Sequence, residues 1–422
     1  MDKINVLIFP AGEINSVELH DALCTCVNIN LFGASSRERH GKYVFEDYTP
    51  GLPLIFDTDF FEKFNAYLDE KHIDVIFPTH DTVATFFADN QDKLHAKIVA
   101  ADQRTSRICR DKALTYETFA DCEFTPRIYS NNYMFPVFAK PREGQGGVGA
   151  RLVKTPAELP VNISDFTVCE YLPGEECTVD CLTDKNGILL FASPRLRKRM
   201  MAGVCVSGEN LPLSPEIEAI AKTINERLSF KGLWFFQLKK SANGEWRLLE
   251  VSTRCAGTMC LTRARGVNLP LLSVYVTMGY DVAIKPNEYS VSMDRTLISR
   301  YTLDFDYDTV YFDFDDTLIV RSKVNLKAIW FLYQCRNQGK RVKLLTKHEK
   351  EIYDSMAHYA INPNIFNEII HIKPEDYKSK YINPARAIFV DNAYQERAAV
   401  SRSCHIPVFD VDGIEFLMDW KS

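Results

Sequence analysis

The chain has 422 residues, 46% of them hydrophobic and 25% charged. That is the composition of a soluble globular protein with room for about two to four domains, and it excludes disordered, collagen-like and coiled-coil chains. Lys and Arg total 50 against 56 Asp and Glu, a net charge of -6, so no global cationic field draws in nucleic acid.

No apolar run reaches the ~20 residues of a membrane span, and the opening turns polar too early for a secretory signal. A cytoplasmic protein with no membrane partner is expected. Its 12 cysteines contain no CxxC pair and its 9 histidines are dispersed, so reduced, buried thiols are expected and not a disulfide framework or a structural zinc site.

The first hundred residues alternate short apolar runs with helical spacing. Asn5–Phe9 ends at Pro10–Gly12 and is followed by Val17, Leu19 and Leu23; a second run, Val27 to Leu31, closes at Gly33. A third, Asp74–Phe77, closes at Pro78–Asp81 before helical spacing over Val83–Leu94. This pattern specifies a parallel sheet covered on both faces, with ligands beyond the carboxyl ends of its strands. The Pro10–Ile14 loop lacks GxGxxG spacing, so no dinucleotide site is read there.

From about Ser106 the texture becomes α+β. Strands are expected at Val137–Lys140, Val168–Leu172, Thr178–Thr183, Ile188–Ala192, Leu233–Lys239 and Trp246–Val251, and helices at Lys112–Phe119 and Glu216–Leu228. Asp184–Gly187 and Ser241–Gly244 read as hairpin turns.

After Lys140 come Gly144, Gly146, Gly147 and Gly149. Without Cβ atoms, backbone N–H groups there can close on phosphate oxygens, although a flexible glycine hairpin explains the same residues. Lys112 and Lys140 are placed to reach a polyphosphate. Gln237 interrupts an apolar strand, where an amide is costly unless it bonds or ligates something. If the Asn243–Gly244 turn pairs the two strands, Gln237 and Glu250 face one side and offer oxygen ligands to Mg²⁺.

Taken in order, these residues resemble an ATP-grasp enzyme of the carbamoyl-phosphate-synthetase-like branch over about residues 1–300. Phe77–Asp81, Asp111–Lys112, Lys140–Pro141 with its glycine loop, Glu170–Glu176, Gln237, Glu250 and Arg254 carry the likeness. The resemblance implies that Lys112, Lys140, Gly146 and Gly147 bind the phosphates of ATP. It assigns adenine to the backbone of Glu170, Tyr171 and Leu172, the ribose to Glu176, and Mg²⁺ to Gln237 and Glu250. Ser252 stands where the family has Asn, a weaker second-metal ligand. Arg254 is then catalytic, holding the transferring phosphate or the acceptor carboxylate.

Arg195, Arg197 and Arg199 share one face at period two. They form either an anionic-acceptor wall, as the resemblance favours, or a charged edge strand.

A third block opens with Thr309–Phe312 running into Asp313-Phe-Asp315, followed by strands at Val342–Leu345 and Ala387–Val390. Two carboxylates one residue apart at a strand end can share Mg²⁺ and divide nucleophile from acid/base work. With Thr346, Lys378 and Asp391–Asn392 in order, residues 305–422 resemble the haloacid-dehalogenase-like hydrolases. The resemblance implies a Rossmann-like domain without a large cap. Asp313 is then the nucleophile and Asp315 the acid/base. Thr346 and Lys378 hold the phosphoryl group, and Asp313, Asp315 and Asp391 make the metal site. Lys373 and Lys380 rival Lys378.

The expected architecture is α/β and α+β multidomain: a parallel-sheet domain over 1–105, an ATP-grasp domain over 106–303 and a phosphatase-like domain over 304–422. The expected function is bifunctional: an ATP-dependent carboxylate–amine ligase working through an acylphosphate, with a Mg²⁺-dependent phosphatase acting on a phosphorylated metabolite. A carboxylate kinase, or a nucleotide sensor with an inert hydrolase-like module, are the alternatives. The cofactors are ATP and Mg²⁺, the partners small-molecule carboxylates and amines. The resemblance also allows a homodimer, since relatives of the ATP-binding part often dimerise.

Overall fold

The computed structural model describes residues 3–144, 146–419 and 421. The chain divides into two compact units, Met1–Leu297 and Ile298–Ser422. The chain is thus divided once, at 297/298, where the sequence reading sets boundaries at 105/106 and 303/304.

The first unit opens with β1 (Ile4–Phe9), α1 (Ile14–Leu23), β2 (Ile29–Ser35), β3 (Asp47–Pro50), α2 (Phe60–Glu70), β4 (Val75–Pro78), α3 (Asp81–Asp89) and β5 (Lys97–Ile98). The strands form a parallel sheet in the order β3-β2-β1-β4-β5. Gly33, read as a strand end, lies inside β2; a Cβ there would meet the Phe45 ring at 2.5 Å, so it marks close packing instead.

Helices α4 (Gln103–Arg110) and α5 (Lys112–Thr118) follow, each started by an aspartate side chain that accepts a backbone N–H. The cap Asp111 accepts from Ala113 N and so fixes Lys112 as the first helical residue.

Next come β6 (Ile128–Tyr129), β7 (Val137–Pro141), β8 (Arg151–Val153) and β9 (Phe166–Glu170), an antiparallel sheet ordered β6-β9-β7-β8. The remainder is β10 (Glu176–Thr183), β11 (Leu189–Met201), β12 (Val204–Asn210), α6 (Pro215–Arg227), β13 (Gly232–Lys240), β14 (Trp246–Ser252), α7 (Cys260–Ala264), α8 (Leu269–Thr277) and β15 (Ser292–Asp294). Its six strands are ordered β14-β13-β10-β11-β12-β15, all antiparallel. Both expected hairpin turns form, with Gly187 and Gly244 at φ +85° and +84°.

One buried cluster joins Ile4, Val6 and Ile8 of β1 to Leu233 and Phe235 of β13 and to Leu269 and Val274 of α8. The parallel sheet and the large antiparallel sheet therefore share a core, which is why residues on either side of 105 form one unit.

The second unit runs β16 (Thr309–Phe312), β17 (Ile319–Val320), β18 (Lys323–Val324), α9 (Leu326–Asn337), β19 (Arg341–Thr346), α10 (Ile352–His358), β20 (Glu368–His371), β21 (Ala387–Val390), α11 (Tyr394–Cys404), β22 (Val408–Phe409) and α12 (Ile414–Leu417). Its parallel sheet is ordered β20-β19-β16-β21-β22. The chain leaves β16 in one direction through β19 and β20, then returns to the other side through β21. Such a switch point, here at the carboxyl ends of β16 and β21, is where ligands of open α/β sheets generally bind. The β17–β18 hairpin, not a large cap, follows the acidic loop. Among the described residues no helix is long and apolar enough to cross a membrane.

Candidate functional site

A cavity of about 550 Å³ in the first unit is lined by both antiparallel sheets, by α5 and by the loops after β1 and β4. Lys112, Lys140, Gly146, Gly147, Glu176, Gln237, Glu250 and Arg254 all line it, with Arg195 and Arg197. Residues spread from 112 to 254 converge because β7, β10, β13 and β14 each place one of them at the same opening.

Lys140, 6% exposed, donates to Tyr116 Oη and to Leu249 O at 3.3 Å. Lys112 reaches Gly144 O at 3.4 Å, and Arg110 holds the same carbonyl at 3.2 Å. Burial first, and the nearby Lys140 charge, hold the Lys112 ammonium below its ordinary pKa, against the pull of Glu250. The glycine loop also touches the β11–β12 turn: a Cβ on Gly203 would sit 2.1 Å from Gly146 O.

Gln237 and Glu250 are direct partners across β13 and β14. Gln237 Oε1 accepts from Arg197 at 2.9 Å. The Glu250 carboxylate makes no hydrogen bond or ion pair with the described residues. A carboxylate and an amide oxygen side by side are hard donors that fit Mg²⁺ shared with phosphate oxygens. Among the described residues no group of three or more His, Cys, Asp or Glu is arranged to hold a metal, so a cation here would take its other ligands from nucleotide and water.

Several of the expected residues are engaged by protein partners. Ser252 turns from this cavity, and its Oγ donates to Asp81 Oδ1 at 3.0 Å. Arg254 is engaged by the same carboxylate, Nε at 2.9 Å and Nη2 at 3.0 Å. Burial opposes ionisation of Asp81, but the Arg254 guanidinium outweighs it and holds the carboxyl below its ordinary range. Asp81, at the carboxyl end of β4, is the residue that sequence reasoning quoted without giving it work.

The three arginines do not form one free wall. Arg195, 1% exposed, is consumed by Asp180 through bonds of 2.9 and 2.8 Å and by Thr258. Arg197 bonds Glu176 as well as Gln237. Arg199 lies outside the lining and pairs with exposed Asp294 at 2.8 Å. The β11–β12 register shifts between Arg197 and Arg199, and this bulge breaks the period-two alternation. Glu170, Tyr171 and Leu172 are likewise outside the lining: Glu170 Oε1 accepts from Arg127 N at 2.9 Å, Leu172 is buried and Tyr171 exposed.

In the second unit, Asp313 follows β16, Thr346 ends β19 and Asp391 follows β21, all at the carboxyl edge of the sheet. Lys378 Nζ stands between the two aspartates, 2.7 Å from Asp313 and 2.6 Å from Asp391. It is 3% exposed, whereas Lys373 and Lys380 are absent from this pairing. Burial, with Asp391 adding to it and Lys378 opposing, pushes the Asp313 carboxyl up to about 6. Thr346 Oγ1 is buried without a hydrogen-bond partner among the described residues.

The Asp315 side chain does not join Asp313 and Asp391. It faces His348 Nδ1 at 2.9 Å, while His348 Nε2 meets Ser355 Oγ at 2.7 Å. His348, two residues past Thr346, carried no local signal in the sequence.

A family model described as "ATP-grasp in the biosynthetic pathway with Ter operon" matches residues 162–297. A Rhizobium etli pyruvate carboxylase variant superposes with a TM-score of 0.55 at 14% identity, covering 67% of this chain but only 29% of that one. An N5-carboxyaminoimidazole synthetase from Staphylococcus aureus, complexed with ADP, superposes at TM-score 0.55 and 14% identity, covering 68% and 80%. An L-amino acid ligase from Bacillus licheniformis superposes at 0.53 and 16%, covering 66% and 75%. The family match sets residues 162–297 beside ATP-grasp proteins, and the superpositions show a likeness of fold. A comparison with curated proteins finds no match. In the first unit the glycine loop joins β7 to β8, and the cavity beneath it separates the small antiparallel sheet from the large one.

Proposed function

We propose that the first unit is an ATP-dependent ligase joining a small carboxylate to an amine through an acylphosphate. The observation that carries this is the convergence of Lys112, Lys140, Gln237, Glu250 and Arg254 on one cavity under a glycine loop. Phosphoryl transfer depends chiefly on positioning and on cations that neutralise growing charge. Lys112 and Lys140 supply two ammonium groups for the phosphates. Gln237 and Glu250 would hold Mg²⁺, which would supply positive charge to offset that of the phosphates. The backbone of Glu170–Leu172, at the join of the two antiparallel sheets, takes adenine, and Glu176 the ribose. Arg254, oriented by Asp81, presents its edge to the acceptor. The glycine loop excludes water from an intermediate that hydrolyses easily. The neighbouring L-amino acid ligase lends support to the same class.

The test is ADP release from ATP with pooled carboxylates and amines, product masses recorded. ADP formation that needs both partners supports ligation, and ADP formation that ignores the amine leaves a carboxylate kinase. No turnover with any pool, despite stoichiometric ATP binding, sinks both in favour of a sensor.

For the second unit we propose an aspartyl-phosphate-forming phosphatase of the haloacid-dehalogenase type. Support comes from Asp313, Lys378 and Asp391 packed within 2.7 Å contacts at a switch point, beside the unpartnered Thr346 hydroxyl. Asp313 attacks phosphorus and Asp315 protonates the leaving oxygen, while Lys378 and Thr346 hold the phosphoryl oxygens. Asp313 and Asp391 offer hard oxygen donors to Mg²⁺, which would draw charge off those oxygens. Asp313→Asn should abolish hydrolysis of p-nitrophenyl phosphate and leave ADP formation intact. Hydrolysis retained by that variant rejects the assignment.

A further inference from the structure

In the second unit three side chains stand in file, and two of them have no role above. His348 Nδ1 lies 2.9 Å from both oxygens of Asp315, and its Nε2 lies 2.7 Å from Ser355 Oγ. The imidazole is mostly enclosed and the carboxyl half open, with side chains 12% and 53% exposed. Each support is itself fixed. Ser355 belongs to α10, whose Ile352 and Met356 lie in the core of this unit. The His348 ring packs edge-on against Phe314 at 5.0 Å, and His371 Nε2 donates to the His348 carbonyl at 2.6 Å. A carboxylate only accepts, so the hydrogen on Nδ1 points to Asp315. Shared between two oxygens, it sets the direction of that carboxyl. Among the described residues the Asp315 side chain has no other hydrogen bond or ion pair.

The displacement proposed for this unit gives that direction a use. Attack by an Asp313 oxygen and departure of the leaving oxygen are roughly in line, so the two stand on opposite sides of phosphorus. An acid for the leaving oxygen must therefore stand apart from the nucleophile, toward the solvent into which the rest of the substrate projects. The Asp315 side chain, turned from Asp313 and Asp391 and half exposed, meets both conditions. We propose that His348, steadied by Ser355, is a positioning residue that holds Asp315 on the leaving-group side of the phosphoryl site. This role rests on the phosphatase assignment and adds to it. As Asp313 bonds to phosphorus, the bond to the leaving oxygen breaks and that oxygen takes the proton of Asp315. Water then attacks the aspartyl-phosphate, Asp315 takes a proton from it, and phosphate departs from Asp313. His348 touches none of the reacting atoms and acts only through Asp315.

The test is kcat/KM of the full chain at saturating Mg²⁺ with p-nitrophenyl phosphate and with phenyl phosphate, whose poorer leaving group needs the proton more. His348→Ala should raise the ratio of the first value to the second about tenfold, a part of the roughly 10²–10⁴-fold that a general acid contributes. His348→Asn, whose amide N–H can stand in for that of Nδ1, should return the ratio to within about threefold of the parent. In an Asp315→Asn background, His348→Ala should change the ratio no further, because the two act as one unit. Ser355→Ala leaves His348 in place but loosened and should raise the ratio about threefold. It decides the matter if His348→Ala does not fold. A ratio unchanged in folded His348→Ala, or in Ser355→Ala, overturns the role of His348 while the phosphatase assignment stands. So does a further change of the ratio in the Asp315→Asn background. An unaltered chain that hydrolyses neither ester overturns both.

Discussion

Asp81→Asn removes the charge that balances Arg254 while keeping the size of the side chain. The pair is mostly enclosed, with the Arg254 and Asp81 side chains 16% and 18% exposed. Its value therefore lies between a surface pair, worth under ~1 kcal/mol, and a fully buried one, whose breaking costs ~3–5 kcal/mol. About 3 kcal/mol is expected, because the variant leaves a guanidinium with only neutral partners, among them Cys255 O at 3.1 Å. That is on the order of a hundredfold in a local opening equilibrium. Asp81 starts α3 and Arg254 follows β14, so hydrogen exchange in those two segments is the assay. Protection there should fall by about that factor while segments of the second unit stay unchanged. Adding Arg254→Met should recover much of the loss, since no orphaned charge remains. Protection in Asp81→Asn within about twofold of the parent in both segments would refute this reasoning.

Glu250→Gln should lower kcat for ADP formation by about a hundredfold or more at saturating Mg²⁺, and full activity would remove Glu250 from the metal site. Gly203→Ala forces a Cβ to 2.1 Å from Gly146 O at φ +78°, so it should displace the glycine loop and raise KM for ATP. Gly187→Ala is the control: its φ of +85° carries the same strain with nothing within 4 Å, so its KM should not move. In metal-free protein the Asp313 carboxyl, followed by ¹³C NMR, should titrate near the value of about 6 to which burial raises it. Because the folded state holds that proton more tightly, the group favours folding below about pH 4. It loses this contribution as pH rises through the folded value of about 6. Lys378→Met should push the titration higher still, and a value near 4 in the parent would contradict the burial argument.

Much of the site was legible because it depends on local pattern. Gln237 is conspicuous in an apolar strand, and the Asn243–Gly244 turn fixes its register against Glu250. Lys112 is announced by the aspartate cap before it, and Lys140 by the glycines after it. What stayed hidden depends on where separate segments meet. Nothing near Asp81 in the chain points to a residue 173 positions away. Three lysines near residue 378 are told apart by burial and by which of them meets Asp313 and Asp391, neither of which shows in the sequence. The choice between an acceptor wall and a charged edge strand at Arg199 could not be made from the sequence, because a bulge leaves no mark in the alternation of charges. The fold divided similarly: the strands and their senses follow from periodicity, but the core shared by β1, β13 and α8 is a tertiary fact.

If the cavity takes the polyanion proposed for it, the hydrogen bonds tell which of its cations remain free to meet that charge. Arg195 is neutralised by Asp180, Arg254 by Asp81, and Arg197 by Glu176, so three of the five cations at the lining are already balanced inside the protein. Lys140 is held by a tyrosine hydroxyl and a carbonyl, which orient its charge without cancelling it. Lys112 has only a long contact to the glycine loop, and burial already works against its ionisation. The positive potential offered to phosphate therefore comes mainly from Lys112 and Lys140, opposite an unpaired Glu250 that makes sense with a divalent ion between carboxylate and phosphate. On the proposed reading, a divalent ion beside Glu250 would strengthen the hold on phosphate that the two lysines begin. Arginines fixed by their own carboxylates shape the pocket, and the two lysines do the attracting.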